Sequence, residues 1–403
     1  MKKGKLLGIV CVVTIVAGLL LAGCASEAPP TEGPPTEGPP TEGPPTEEPP
    51  EVFHITMCTQ HPYEDPMNKY INEGWFNYLE RESDGRLTFT LYPSSQAAEP
   101  PLLYDAARDG IVDISCVPLS ATPGRWVLNE VCGLPLLFDY PAARQVNMTE
   151  SAMFDKYPEL QAEMSDVKVL CWHSTGVQQL HIANRPVHTL EDVEGLQIAC
   201  FGEYAMRATE ALGGVPANVV VTELYDALAK GVVDAEWCNY VGLLIFNWAE
   251  HLNYCTETNL VADQMVHVMN LDTWNSLPAD LQELIEETYW LLPEVYGYQF
   301  DTDDFVCKEI FEGMMIDRGH SETYVMPEAE QARWQEAIRP VWEEWISDAA
   351  AIVGEDKARA MLEDAQAFTK QYPYEETPFD LVEDTFRDWG VGEYLEGGAA
   401  GGG

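Results

Sequence analysis

The chain has 403 residues, of which 67 are Asp or Glu against 22 Lys or Arg, for a formal net charge of −45. So acidic a surface excludes nucleic acid as a partner and opposes adsorption on anionic lipid. Hydrophobic residues make up 46% and aromatics 10%, enough for the body from about residue 52 to bury two cores.

The first elements are not globular. Lys2, Lys3 and Lys5 precede an apolar run from Leu6 to Ala22, and the small pair Ala22 and Gly23 stands directly before Cys24. Leu21 to Cys24 resembles the lipobox of bacterial lipoproteins, in which the leader (1–23) is cut and the cysteine lipidated. The alternative is an uncleaved anchor helix; either way the body lies outside the cytoplasm. PPTEG then repeats three times from Pro29, followed by PPTEE and Pro49-Pro50. Proline favours extended polyproline II and Glu adds self-repulsion, so 24–51 reads as a solvated tether whose segment Pro29 to Pro50 reaches about 70 Å.

In the body, apolar positions at Met67, Tyr70, Ile71, Trp75, Tyr78 and Leu79 predict an amphipathic helix. "GRLTFTLYP" alternates as a strand, "PPLLYDAARDG" predicts a helix ending at Gly110, and "IVDISCVPLS" a buried strand. "VKVLCWHSTG" and "QQLHIANRP" are strands, and Thr189 with Asp192 forms a capping box. "LQIACF" and "VVDAEWCN" are further strands separated by helices Tyr204–Leu212 and Thr222–Lys230. The last third is helical: Ala279 to Leu292, kinked onward at Pro293, and Glu328 to Tyr372, interrupted at Pro340, with the short strand "SETYVMP" between them. The end "GGAAGGG" has no side chains to pack, and 396–403 reads as a disordered tail. The fold class is α/β and bilobed, with a ligand cleft between two α/β domains and long C-terminal helices. Domain I takes 52–172 plus about 262–315, and domain II takes 173–261 plus about 316–395.

Of ten cysteines, eight lie singly in the body with no CxxC pair, so no zinc or thioredoxin-like motif is present; buried thiols are expected, with one or two disulfides left open. Histidines come no closer in sequence than the seven residues between His54 and His61 and between His181 and His188, with His173 and His181 eight apart, and none of these spacings fits a ligand pair. No HExxH, GxSxG, Walker or GxGxxG pattern occurs. The reading is a non-enzyme without cofactor or metal.

Five segments, "LYDAARDGIVDIS", "VCGLPLLFDYPAARQV", "ANRPVHTLEDVEGLQIA", "EALGGVPANVVVTELYDALAKGVVDAEW" and "NLDTWNSLPADLQELIEE", together resemble the solute-binding proteins of tripartite ATP-independent periplasmic (TRAP) transporters, the DctP-like family. The resemblance runs from about Val52 to Asp348. It implies a type II periplasmic-binding-protein fold, a small-molecule solute, no cofactor, and two membrane partners, the small and large TRAP subunits. An ABC importer or a sensor kinase as the receiving partner is the alternative, and a secreted enzyme a third.

The family clamps a substrate carboxylate with an arginine directly after its "GLKI" strand; here "GLQIACF" puts Ala199 there. Burying a carboxylate without a paired cation costs several kcal/mol, so a simple acid is not the expected solute. Carried over singly, Gln178 stands at a polar or arginine contact, His61 follows the first strand, and Glu236, Trp237 and Asn239 follow Asp234. Trp172 is a weaker candidate. Trp237 serves equally as core or as a flat ligand platform. The expected ligand is apolar or aromatic and neutral or cationic, with Arg125 and Arg207 available as a displaced clamp.

Overall fold

The computed structural model describes residues 50–397 apart from 139–141, 321–322 and 374–376; the leader, Cys24, the tether through residue 49 and the tail from 398 lie outside the described residues. Strands in chain order are β1 (Phe53–Cys58), β2 (Leu87–Tyr92), β3 (Ile114–Pro118), β4 (Val167–Val177), β5 (Gln179–Ile182), β6 (Gln197–Ala199), β7 (Val215–Ala217), β8 (Ala235–Cys238), β9 (Tyr254–Glu257), β10 (Ala262–Asn270) and β11 (Thr323–Val325).

They form two sheets, one per lobe. The first has the order β2-β1-β3-β10-β4 and the second β11-β9-β5-β8-β6-β7. In the first, β1 runs parallel to β2 and β3, while β10 is antiparallel to β3 and β4. The chain passes between sheets at Gln178, where β4 becomes β5, and at 258–261, where β9 leads to β10. These two passages are stitched together: Gln178 N–H donates to Val261 O at 2.8 Å and Leu260 N–H to Gln178 O at 3.0 Å. Two hydrogen-bonded connections between packed lobes are the local geometry of a hinge.

The helix Leu291–Asp317 ties the lobes from behind. Its Asp301 accepts from Ala143 N (2.6 Å) at the start of the helix Ala143–Lys156, and its Asp304 accepts from Tyr240 N (2.7 Å) and Val241 N (3.2 Å) at the start of Tyr240–Ile245. Each carboxyl satisfies N–H groups that a helix start leaves unpaired. Gly297 lets Ala143–Lys156 cross closely, because a Cβ there would stand 2.6 Å from the Cα of Arg144. At this crossing Arg144 binds Glu294 in two parallel bonds, 2.5 and 2.9 Å, buried from solvent.

The capping box is present, with His188 N and Thr189 N both donating to Asp192 at 3.0 Å. Three expectations are corrected. The helix from Glu328 runs through Pro340 to Val353 and breaks instead at Gly354, whose φ is +85°. Trp334, Ile338, Val341 and Trp345 are buried on both sides of the proline, and that packing holds the helix across one missing hydrogen bond. The helix Ala279–Glu286 stops before Pro293, which falls in the first turn of Leu291–Asp317, where its lost N–H had no partner to lose. Residues 379–395, grouped above with the second domain, put Val382, Phe386, Trp389 and Tyr394 into the same core as Trp75 and Leu79 beneath the first sheet.

The eight body cysteines are free and buried. Among the described residues no helix is long and apolar enough to cross a membrane.

Candidate functional site

A cavity of about 40 Å³ lies at the crossing strands, walled by Ser120 and Glu130 from the first lobe, Gly202, Glu203 and Tyr204 from the second, and Gln178, Asp263 and Gln264 at the connections. Pockets that hold a small molecule span about 300–1,000 Å³. The lobes are therefore drawn together here. Gly202, at φ +85°, marks the contact: a Cβ on it would come within 3.0 Å of the Cβ of Ser120. Asn239 crosses the same gap, its Nδ2 donating to Thr175 O at 2.5 Å. A larger groove of about 610 Å³ runs along the helices Glu328–Val353 and Glu355–Gln371.

The wall is acidic. Glu130 is 6% exposed and accepts from Gly124 N at 2.9 Å. Burial, reinforced by Glu203 and Glu163, pushes its carboxyl up to about 7. Asp263 accepts from Ser120 Oγ (3.2 Å) and Thr175 Oγ1 (3.3 Å), and burial raises it too, although those bonds and His61 pull the other way. Glu203 pairs with Arg207, which also reaches Glu344 at 3.2 Å and Asp348 at 3.7 Å. The arginine is thus shared among three carboxylates. Gln178, 5% exposed, keeps its Oε1 without a hydrogen-bond partner among the described residues. Buried acceptors of this kind are the exception in folded proteins.

Of the residues nominated from the sequence, Gln178 lines the cavity. His61 stands close by, its Nδ1 2.8 Å from Asp65 Oδ2; burial favours the neutral ring, but Asp65 and Asp263 outweigh it and its pKa is raised. Asn239 caps the helix Tyr240–Ile245 by accepting from Gly242 N at 2.7 Å, besides its bond to Thr175. Its role is to join the lobes.

The others are not on the cavity wall. Trp237 is fully buried among Leu180, Ile198, Ala208 and Trp334 and donates Nε1–H to Thr209 Oγ1 at 2.8 Å, so the expected platform is a core side chain. Alternation along β8 sends Glu236 to the opposite face. There its Oε1 lies 3.0 Å from His181 Nδ1 with both side chains sealed, and burial pushes the acid well up and the imidazole down to about 3. Ala199 is the register partner of Glu236 and equally buried. Trp172 packs on the far face of the first sheet with Val169 and Val266. Arg125 binds Asp105 at 2.7 Å and lies over Tyr104 and Trp126, which occupies it away from the cleft.

Sequence reasoning missed Ser120, Glu130, Tyr204 and Asp263. A signal existed: Glu130 in "VLNEVCG" and Asp263 in "LVADQMV" are lone acids within apolar runs, and a buried polar group is the informative deviation.

Comparison with known proteins places the whole arrangement. Residues 57–348 match the family described as bacterial extracellular solute-binding protein, family 7 (DctP). The C4-dicarboxylate-binding periplasmic protein DctP of Vibrio cholerae is 27% identical over 77% of this chain and 88% of its own. Among solved structures, the TRAP solute-binding protein of Bordetella bronchiseptica with bound (R)- and (S)-mandelate superposes with a TM-score of 0.71 at 25% identity, covering 80% of this chain and all (100%) of that one. That of Rhodoferax ferrireducens with copurified benzoate shows the same fold, at a TM-score of 0.72 and 21% identity over 80% of this chain and 98% of that one.

Proposed function

Because the chain belongs to family 7 of the bacterial extracellular solute-binding proteins, the DctP family, we propose that it captures a cationic or neutral amine-bearing solute between its lobes and hands it unchanged to a TRAP transporter. The lobes part at the Gln178 and Val261 connections to admit it. Lipid on Cys24 and the Pro/Thr/Glu tether hold the capturing body near the small and large membrane subunits, outside the cytoplasm.

One observation carries the choice of solute. Glu130, Glu203 and Asp263 face one cavity, the nearest arginine is already divided among carboxylates, and the position of the family arginine is Ala199. The Bordetella and Rhodoferax proteins hold mandelate and benzoate, both carboxylates. Such an anion here would meet three acids and no free guanidinium, and a like-charge juxtaposition costs several kcal/mol. A cation meets three acceptors and the unpartnered Gln178 Oε1.

The test is mass spectrometry of small molecules released from the denatured full chain, then calorimetric rebinding of the compound found. An amine or ammonium compound that rebinds one to one, less tightly as salt rises, is the expected result. A carboxylate that rebinds intact would overturn the solute class and leave capture standing; a compound that returns chemically altered would overturn capture without chemistry.

A further inference from the structure

A second cluster of chemistry lies deeper in the first lobe, where capture makes no use of it. Cys116 on β3, His173 on β4 and His267 on β10 occupy three adjacent strands, and in register His267 pairs with Cys116 on one side and with Cys171 on the other. All four side chains are 0% exposed. Cys116 Sγ lies 3.5 Å from His173 Nε2, Cys171 Sγ lies 3.2 Å from His267 Nδ1, and the two imidazole centroids are 4.9 Å apart. One donor atom each from Cys116, His173 and His267 fall within 4.8 Å of one another. His267 Nε2 has no hydrogen-bond partner among the described residues, and His173 Nε2 meets the Cys116 sulfur.

Two imidazoles and a thiol packed together in a dry core need a reason, because an unpaired buried polar atom is costly. We infer that Cys116, His173 and His267 bind a borderline or soft transition-metal ion, zinc foremost, as a staple across three strands behind the cleft wall. One thiolate and two imidazoles suit zinc or copper(I) and do not suit calcium or magnesium, which take oxygen ligands. At Zn–S of about 2.3 Å and Zn–N of about 2.0–2.1 Å, a tetrahedral ion holds sulfur and nitrogen about 3.6 Å apart. The Cys116 to His173 separation fits that edge. Cys171 takes His267 Nδ1 and leaves Nε2 as that ring's ligand atom, the usual way a second partner orients a metal-binding histidine. Tyr296, stacked on His173 at 4.2 Å, fixes the other ring. On binding, the Cys116 thiol loses its proton to solvent and the thiolate gives its lone pair to the ion; no electron is transferred.

The position gives the staple a purpose. Two residues beyond His173, Thr175 bonds Asp263; three before His267, Gln264 lines the cavity; four beyond Cys116, Ser120 does the same. An ion here fixes the spacing of the three strands that present the cavity's first-lobe wall.

The experiment uses the full chain, stripped with a chelator and titrated with cobalt(II). The net charge of −45 collects divalent ions without a thiolate, so the readout is the sulfur-to-cobalt charge-transfer absorption and not uptake. One equivalent should generate the band and one equivalent of zinc should abolish it. Cys116→Ser and His267→Gln should lose it, while Cys255→Ser, in the second sheet, should keep it. X-ray absorption of the zinc-loaded parent, which needs no variant to fold, should show one sulfur and two nitrogen ligands. No band in the parent, a band surviving in Cys116→Ser, or a sulfur-free zinc shell overturns the proposal.

Discussion

Ala199 and Glu236 are register partners on the parallel strands β6 and β8, both closed to solvent. Burial pushes the Glu236 carboxyl well above the usual carboxylate range, and His181 Nδ1 stands 3.0 Å from its Oε1.

Glu236 gives the first expectation. Its folded pKa is raised, so its contribution is complete below the unfolded value of about 4.3 and declines as pH rises towards the folded one. Glu236→Gln, which stays neutral, should flatten the fall in stability above pH 5. Urea unfolding between pH 5 and 8 measures this, and an unchanged slope refutes a neutral Glu236.

Glu130 links pH to capture. With its carboxyl raised to about 7, the group is half ionised at neutral pH, and a cationic solute favours the ionised form. Affinity should rise between pH 6 and 8 and binding should release protons. Glu130→Gln should remove most of that dependence; calorimetry in buffers of different ionisation enthalpy counts the protons.

Arg144 and Glu294 form a buried, bidentate pair where two helices cross. Glu294→Ala strands a guanidinium away from water and should cost about 3–5 kcal/mol. Gly297→Ala at the same crossing meets backbone at 2.6 Å and should also destabilise. Thermal and denaturant unfolding decide both; a loss below about 1 kcal/mol for Glu294→Ala means that the pair is solvated.

Trp237 separates core from site. Trp237→Phe gives up the bond to Thr209 and some volume, and should lower stability by about 1–3 kcal/mol while leaving solute affinity unchanged. A clear drop in affinity at full folding would return Trp237 to the cleft.

Local pattern revealed much of this protein. The alternation of Leu87 to Tyr92 and the Thr189–Asp192 box each encode their own element, because the information lies within one strand or one turn, whereas the helix expected from Met67 is α-helical only over Glu73–Glu82 and a π-helix over Met67–Asn72. β10 escaped, since "ADQMVHVMN" is buried on both faces and mixes acid, amide and imidazole into its apolar residues, which erases period two. Gln178 was legible as a candidate and Glu130 and Asp263 were not, because a cavity wall is assembled from segments more than a hundred residues apart. Composition and order alone determined an acidic, two-lobed α/β binding protein. Only the tertiary structure decided that Trp237 faces the core and Glu236 the opposite side, that three acids share one cavity, and that Cys116, His173 and His267 converge. Side-chain direction along a strand alternates with every residue, so a site depends on register between strands, which no single stretch of sequence contains.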